Sequence, residues 1–159
     1  MCKIDHLINM SASDRPVATP PIRRFRTGDR VYVRAQQVWL ILVAHVMSTR
    51  DEDDEDRFLT YGELAERMGE DRRASIGLGR ELGIVGLYCI ENRLPALNCI
   101  VVSAADRKPG YGVLTRENKN WKQEAREALR TDWFGFRAPS TGTLRKVWQK
   151  LRKGGLDDE

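Results

Sequence analysis

Apolar residues recur at helical spacing in several stretches of this chain. Val38, Leu42 and Val46 form one such stripe, which lies on one side of a helix if the segment is helical. Trp39 and His45 lie within or beside this stripe, so we expect them to be core and boundary residues rather than ligands. On this basis three long helices are predicted, over residues 35–47, 117–130 and 143–153.

A capping box predicts the start of another helix. In Thr60-Tyr61-Gly62-Glu63, the threonine hydroxyl can accept from the amide of Glu63, whose carboxylate can accept from the amide of Thr60. Gly69 is a suitable left-handed residue to end that helix. The next helix is expected over about 72–82, with a further helical segment ending before Pro95.

A β-hairpin is expected after these helices. Residues 97–103 include an apolar run that favours a strand, 104–110 are typical of a turn, and 111–114 are expected to return as the second strand. A helix, a turn, a second helix and a hairpin are the elements of a winged helix-turn-helix, in that order. The predicted fold is therefore α+β, and its commonest partner is duplex DNA, with the second helix in the major groove.

The chain divides into three predicted regions. Prolines and small polar residues in 1–30 predict a flexible N-terminal segment. The winged helix-turn-helix domain is expected over 31–115, and 116–159 are expected to form a C-terminal helical extension packed on it.

Charge is distributed unevenly along the chain. The net charge is +4, but residues 107–153 hold thirteen Lys and Arg against four Asp and Glu. Six consecutive acidic residues occupy 51–56, and we interpret them as a solvated loop. A basic half attracts polyanions such as nucleic acid, although charges that only solvate helix faces are an equally good interpretation of the counts.

Seven residues are predicted to contact DNA. Four belong to the second helix of the helix-turn-helix or its first turn, and two form the basic tip of the hairpin, which would otherwise be an ordinary polar loop. The seventh is the tyrosine of the capping box. They are Arg72, Arg73, Ser75 and Arg80, then Arg107 and Lys108, and Tyr61.

The sequence favours no catalytic chemistry. The two histidines lie in a predicted tail and within an apolar helix, where neither is placed to act as a general base. The three cysteines lack CxxC spacing, which argues against a disulfide framework and a zinc site. We therefore expect no metal, no cofactor and no enzymatic activity. No membrane span or signal peptide is predicted, so a cytoplasmic protein is expected.

About half of the chain resembles the C-terminal DNA-binding domain of O6-alkylguanine-DNA alkyltransferases and alkyltransferase-like proteins. That family shows VW-x-x-L, TYGELA, ARAVGRAL and NPLPILVPCHRVV, in this order. The chain has matching residues in the same order. Val38-Trp39 matches the first motif, 60–65 the second and 79–82 part of the third, and Leu94-Pro95 with Val101-Val102 matches the fourth. The resemblance implies a winged-helix fold, and it implies that Tyr61 helps to rotate the phosphate of the target nucleotide.

The family's reactive motif is missing. Its nucleophilic cysteine lies in PCHRV, whereas this chain has Asn98-Cys99-Ile100 and neither the proline nor the histidine. Cys99 is therefore expected to be a buried structural cysteine. The arginine that fills the gap left by a flipped base in the family aligns with Ile76. Alkyl transfer is not expected.

These observations predict a non-catalytic winged-helix protein that binds duplex DNA. Its role would be in transcription control, or as an accessory in DNA processing or anti-phage defence. Two alternatives stay open. One is a protein-interaction module or an inhibitor of a complex that handles nucleic acid, and the other is an alkyltransferase-like sensor of alkylated guanine.

Overall fold

The computed structural model describes residues 21–110 and 113–155. Residues 1–20, most of the predicted flexible segment, lie outside the described residues. So do residues 111–112, where the predicted return strand begins. The described helices and strands are α1 Val31–Ser48, β1 Leu59–Thr60, α2 Tyr61–Arg67, α3 Gly79–Glu91, β2 Val101–Val102, α4 Trp121–Arg130 and α5 Thr141–Gly155. Short 3-10 segments span Asp54–Arg57, Arg72–Gly77, Leu97–Ile100 and Trp133–Gly135.

The fold is α+β, mainly helical with one small sheet. Strand β1 pairs with β2 in parallel, so that Leu59 is opposite Val101 and Thr60 is opposite Val102. In the described part of the chain this is the whole sheet, and its two strands come from distant parts of the sequence. Apolar residues are buried in both strands, as expected for a sheet covered by helices.

The predicted β-hairpin is not formed by the described residues. Where a strand was predicted over 97–103, the structure has the 3-10 segment followed by the two-residue strand β2. Residues 113–114 are not in a strand. The apolar run around Cys99 is buried on all sides, and such a run gives no alternation that would separate a strand from a buried helical turn.

The core is built around α1. The side chains of Val38, Leu42 and Val46 are fully buried on it, and helices α3 and α5 pack against α1 and against each other. The indole of Trp39 meets that of Trp133 edge to face, with ring centroids 5.5 Å apart. Hydrophobic burial of this kind is the main stabilising term for a domain of this size.

The first turn of α2 has the predicted capping box. The Thr60 hydroxyl accepts from the Glu63 amide at 3.2 Å, and the Glu63 carboxylate accepts from the Thr60 amide at 2.8 Å. Gly69 follows the helix with φ +82°, a conformation that favours glycine. The amides of Gly69 and Glu70 donate to carbonyls of the last turn, which completes a Schellman-type end.

The predicted second helix is divided in two. Residues Arg72–Gly77 form a 3-10 segment, and α3 begins only at Gly79 and continues to Glu91. Gly77 and Gly79 disfavour a continuous α-helix here, at about 1 kcal/mol each relative to alanine. Leu78 between them is fully buried and anchors the junction in the core.

Two buried charged residues join distant parts of the chain. The Arg57 guanidinium donates to the carbonyls of Val46 and Leu129, at 3.0 and 2.8 Å, near the ends of α1 and α4. Glu124, which is fully buried, accepts from the amides of Ala96 and Arg116. Such charges require partners, and here backbone groups supply most of them. None of the described helices is long and apolar enough to cross a membrane.

Candidate nucleic-acid interface

The 3-10 segment after α2 and the first turn of α3 present a basic surface. Arg72, Arg73 and Arg80 are exposed, and Ser75 is half-buried beside them. The side chain of Asp71 accepts from the amide of Arg73 at 2.8 Å and so fixes the start of the 3-10 segment. The four residues predicted for the second helix therefore lie on two consecutive elements, the 3-10 segment and the start of α3, rather than on one helix.

The three arginines differ in their partners. The guanidinium of Arg72 forms an ion pair with Glu66, and the hydrogen bond to that carboxylate raises the arginine pKa. The stem of Arg72 packs against Gly62, where an added Cβ would lie 3.5 Å from its Cγ. Within the part of the chain that the structure describes, Arg73 and Arg80 have no carboxylate partner. Of the three arginines, these two are the more available to a polyanion.

A partly buried ion cluster joins this surface to α1. The Arg34 guanidinium donates to Glu81 at 3.0 Å and to both carboxylate oxygens of Glu70, and the hydrogen bond to Glu70 raises the arginine pKa. These three residues join α1, the turn after α2 and the first turn of α3. Sequence reasoning did not find the cluster, because each residue alone is typical of a solvated helix surface. The one signal in the sequence was Glu81, a charged residue at the start of an apolar segment, which could have indicated a buried ion pair.

Tyr61, the first residue of α2, contacts the loop over 103–110. Its hydroxyl oxygen accepts a hydrogen bond from the amide of Gly110, and an added Cβ at Gly110 would lie 2.9 Å from that oxygen. Among the described residues no acceptor takes the hydroxyl hydrogen, so the group can still donate. Tyr61 is followed by Gly62, which contacts Arg72, so α2 touches both this loop and the basic surface.

A small cavity of about 100 Å³ opens beside Tyr61. Leu82 and Gly83 of α3 and Asn98 of the 3-10 segment line it. The Asn98 side chain is buried, and its Oδ1 has no hydrogen-bond partner in the described chain. A polar atom left in this state costs free energy unless a ligand or water reaches it.

The two residues predicted for the hairpin tip belong to the loop over 103–110 but line a different cavity. Arg107 and Lys108 are exposed, but they line a separate cavity with Phe58 and Trp121. Arg107 has a positive φ of 56°, and its guanidinium donates to the carbonyl of Glu55 at 3.2 Å. The structure thus joins Tyr61 to Gly110 of this loop, and it places Arg107 and Lys108 of the same loop at a second cavity.

Ile76 is the most exposed apolar residue of the basic surface. Its side chain is 92% exposed, between the arginines of the 3-10 segment and Arg80. An isoleucine in this state gains nothing from the core. It stands at the position that the resemblance assigns to the base-gap arginine.

Cys99 is buried, as the sequence predicted. Burial raises the pKa of its thiol to about 12, and it raises the pKa of Cys89 to about 12 as well. Both thiols are therefore protonated near neutral pH, whereas nucleophilic cysteines need thiolate character. In the described ranges there is no group of three His, Cys, Asp or Glu that could hold a metal ion.

The 3-10 segment after α2 and the first turn of α3 thus carry a basic, partly apolar surface with a small cavity at its edge. No protein-family model matches the chain, and neither a curated protein nor a solved structure is significantly similar to it.

Proposed function

We propose that this protein binds duplex DNA without performing chemistry on it. The 3-10 segment over 72–77 and the first turn of α3 enter the major groove, and the loop over 103–110 takes the place of a wing. In this arrangement the fold is a variant of the winged helix-turn-helix. The observation that carries the proposal is the pair of unpartnered, exposed guanidinium groups of Arg73 and Arg80, next to Arg72.

The surrounding contacts support this use of the surface. The partly buried Arg34 cluster fixes the position of α3, so the arginines are presented by a rigid support. Ser75 can donate to phosphate or to a base edge, and Tyr61 has a hydroxyl hydrogen to offer. Such a binder would serve in transcription control, or as an accessory in DNA processing or anti-phage defence.

The test is fluorescence anisotropy with a random duplex of about 30 base pairs at low and moderate salt. Each phosphate contact releases counterions, so a protein that makes three of them should lose roughly 20- to 50-fold in affinity between 50 and 200 mM salt. Arg72→Ala/Arg73→Ala should weaken binding at low salt and reduce the salt dependence.

Arg50→Ala/Arg130→Ala is the matched control. It removes the same charge from exposed positions whose arginines are already paired with Asp132 and Asp54. If both double variants weaken binding equally, the protein attracts DNA through its net charge alone, and the surface at 72–80 is not the interface. If wild-type protein does not bind at low salt, the proposal fails, and a protein partner becomes the better explanation of the exposed surface.

Sensing of alkylated guanine is the second candidate, and the cavity beside Tyr61 favours it. The hydroxyl of Tyr61, which can still donate, lies at this cavity and is a polar group that a base could meet. A duplex with a single O6-methylguanine should then bind more tightly than the same duplex with guanine. Equal affinity for the two duplexes would exclude this candidate and leave general duplex binding intact.

A further inference from the structure

A cavity of about 370 Å³ lies between the 3-10 segment Asp54–Arg57, the loop over 103–110 and α4. It is distinct from the small cavity beside Tyr61. Phe58 and Leu129 contribute apolar surface, and Trp121 stands at the first position of α4. Its volume is within the range of sites for small organic ligands.

One wall of the cavity is aromatic. The rings of Phe58 and Trp121 meet edge to face, with centroids 6.2 Å apart and planes at 73°. Both side chains are only partly buried, so ring surface remains accessible from the cavity. A flat heterocycle is the kind of group that gains most from such a wall.

The mouth of the cavity holds four cations: Arg107, Lys108, Lys122 and Arg126. All four are exposed, and none forms an ion pair with a carboxylate of the described chain. The ammonium of Lys122 lies 5.8 Å from the centroid of the Trp121 ring, so charge and aromatic surface are adjacent. A phosphate group is the expected counterpart of such a cluster.

Three carboxylates line the same cavity: Asp54, Glu55 and Asp106. Asp54 already has two arginine neighbours, Arg57 at 3.7 Å and Arg130 at 3.6 Å. The carboxylates of Glu55 and Asp106 form no ion pair with a described residue. A ligand that only carried negative charge would be repelled here, so the ligand should also donate hydrogen bonds.

A neighbouring cavity of about 400 Å³ lacks the features that make the cavity at Trp121 a candidate ligand site. Its arginines are Arg50, Arg57 and Arg130, and each has an aspartate partner. Within the described residues it has no aromatic wall. It offers neither free charge nor a stacking surface, whereas the cavity at Trp121 offers both.

We propose that the cavity at Trp121 binds a nucleotide. The base lies against Phe58 and Trp121, the phosphate meets the cations of the mouth, and ribose hydroxyls or an amino group of the base donate to Glu55 and Asp106. The proposal does not depend on duplex binding by the surface at 72–80. The same chemistry is offered by a free nucleotide and by the 5′-phosphorylated end of a single strand.

Isothermal titration calorimetry of the full chain with adenosine 5′-monophosphate and with guanosine 5′-monophosphate tests the proposal. At least one nucleotide should bind, and the matching nucleoside should bind at least about tenfold more weakly, because it lacks the charge-assisted contacts. Binding should also change the tryptophan fluorescence, since Trp121 lies in the cavity wall. A 5′-phosphorylated tetranucleotide that displaces the mononucleotide would identify a strand end as the ligand, and failure to displace it would identify the free nucleotide.

Lys122→Gln/Arg126→Gln should weaken nucleotide binding by at least about tenfold, since each residue loses a charged hydrogen-bond donor. Both side chains are exposed, so the fold is expected to survive. Lys146→Gln/Arg152→Gln on α5 removes equal charge from exposed positions outside the cavity lining and should leave the affinity unchanged.

Three results would overturn the proposal. They are no binding of either nucleotide at millimolar concentration, equal binding of inorganic phosphate and nucleotide, and equal loss of affinity in the two double variants. Because Arg72 and Arg73 do not line this cavity, Arg72→Ala/Arg73→Ala should retain nucleotide binding, which separates this test from that of duplex binding.

Discussion

His45 is buried, and both nitrogens of its ring have partners. Nε2 lies 2.7 Å from the carbonyl oxygen of Arg57, and Nδ1 lies 2.8 Å from the guanidinium of Arg67. A carbonyl only accepts and a guanidinium only donates, so this pairing requires the neutral ring with its proton on Nε2. Burial lowers the pKa of His45 below its usual value, and the positive charge of Arg67 lowers it further. A second proton would displace Arg67.

Stability should therefore fall as the pH drops below about 6.5, the usual pKa of an unfolded histidine. Between that value and the lower folded pKa, the unfolded chain binds a proton that the folded chain does not, so the free energy of unfolding decreases. The slope cannot exceed about 1.4 kcal/mol per pH unit for one proton. Urea unfolding at pH 5.0 to 7.5 measures it.

His45→Gln should flatten this pH dependence, because glutamine can still donate to the Arg57 carbonyl but does not titrate. The chain has one other histidine, His6, and His6→Gln serves as the control. If the pH dependence of stability persists in His45→Gln and disappears in His6→Gln, the titrating residue is His6 and the prediction is wrong.

At the scale of elements, two interior glycines of α3 face different neighbours, and only one of them sets the position of the helix. At Gly86 an added Cβ would lie 2.7 to 2.9 Å from three atoms of the buried Asn98 side chain. At Gly83 the nearest atom would be Cδ1 of Leu151, at 3.8 Å, an ordinary contact. The approach of α3 to the 3-10 segment Leu97–Ile100 therefore depends on Gly86, and the contact with α5 does not depend on Gly83.

Gly86→Ala and Gly83→Ala should change stability in opposite directions. Alanine is favoured over glycine within a helix by about 1 kcal/mol, so Gly83→Ala should stabilise the protein by up to that amount. Gly86→Ala should destabilise it by about 1 to 3 kcal/mol, because the collision with Asn98 outweighs the gain in propensity. Chemical denaturation of the two variants checks the signs.

Gly86→Ala/Asn98→Ala provides the internal control. Removal of the Asn98 side chain opens the space that the new methyl group needs, so the double variant should be more stable than the sum of the single changes predicts. Additive effects would mean that Asn98 is not the obstacle.

The sequence predicted those elements that have strong local signals. The capping box at Thr60, the left-handed Gly69 and the apolar stripe of α1 were all confirmed, because each depends on residues a few positions apart. The parallel pairing of β1 with β2 was not predicted, since strands of two residues show no alternation. Likewise, the contacts of Arg57 and Glu124 join residues far apart in the sequence, and nothing local distinguishes these charges from solvated ones.

The candidate surface could be predicted only in part. Arg72, Arg73 and Arg80 were predicted from the order of elements in a helix-turn-helix, and all three are exposed on two consecutive elements. Tyr61 was predicted from the family resemblance, and its hydroxyl contacts Gly110. Arg107 and Lys108 were assigned to the same face because a hairpin was expected. Without that hairpin among the described residues they lie at the second cavity, whose walls come from three separate parts of the chain.

In the whole molecule, one hydrophobic core includes residues from α1 to α5. Leu144 and Val147 of α5 are buried in the same cluster as Val38 and Leu42 of α1, and Trp133 lies between Trp39 and Phe136. A core shared in this way predicts that the N-terminal and C-terminal parts of the chain unfold together. The basic surface at 72–80 would then depend on α5 for its stability, although α5 carries none of its residues.

Leu144→Ala tests this dependence, because Leu144 is fully buried on α5 and packs in the common core. The substitution should cost about 3 kcal/mol, from lost burial and the cavity left behind. Far-ultraviolet circular dichroism reports all helices, and tryptophan fluorescence reports Trp39 together with the three C-terminal tryptophans. In urea both signals should shift to the same lower midpoint with an unchanged slope. Lys146→Ala, at an exposed position two residues away, should move neither midpoint. Two separated transitions in Leu144→Ala would instead show that the helices after residue 116 unfold independently of the rest.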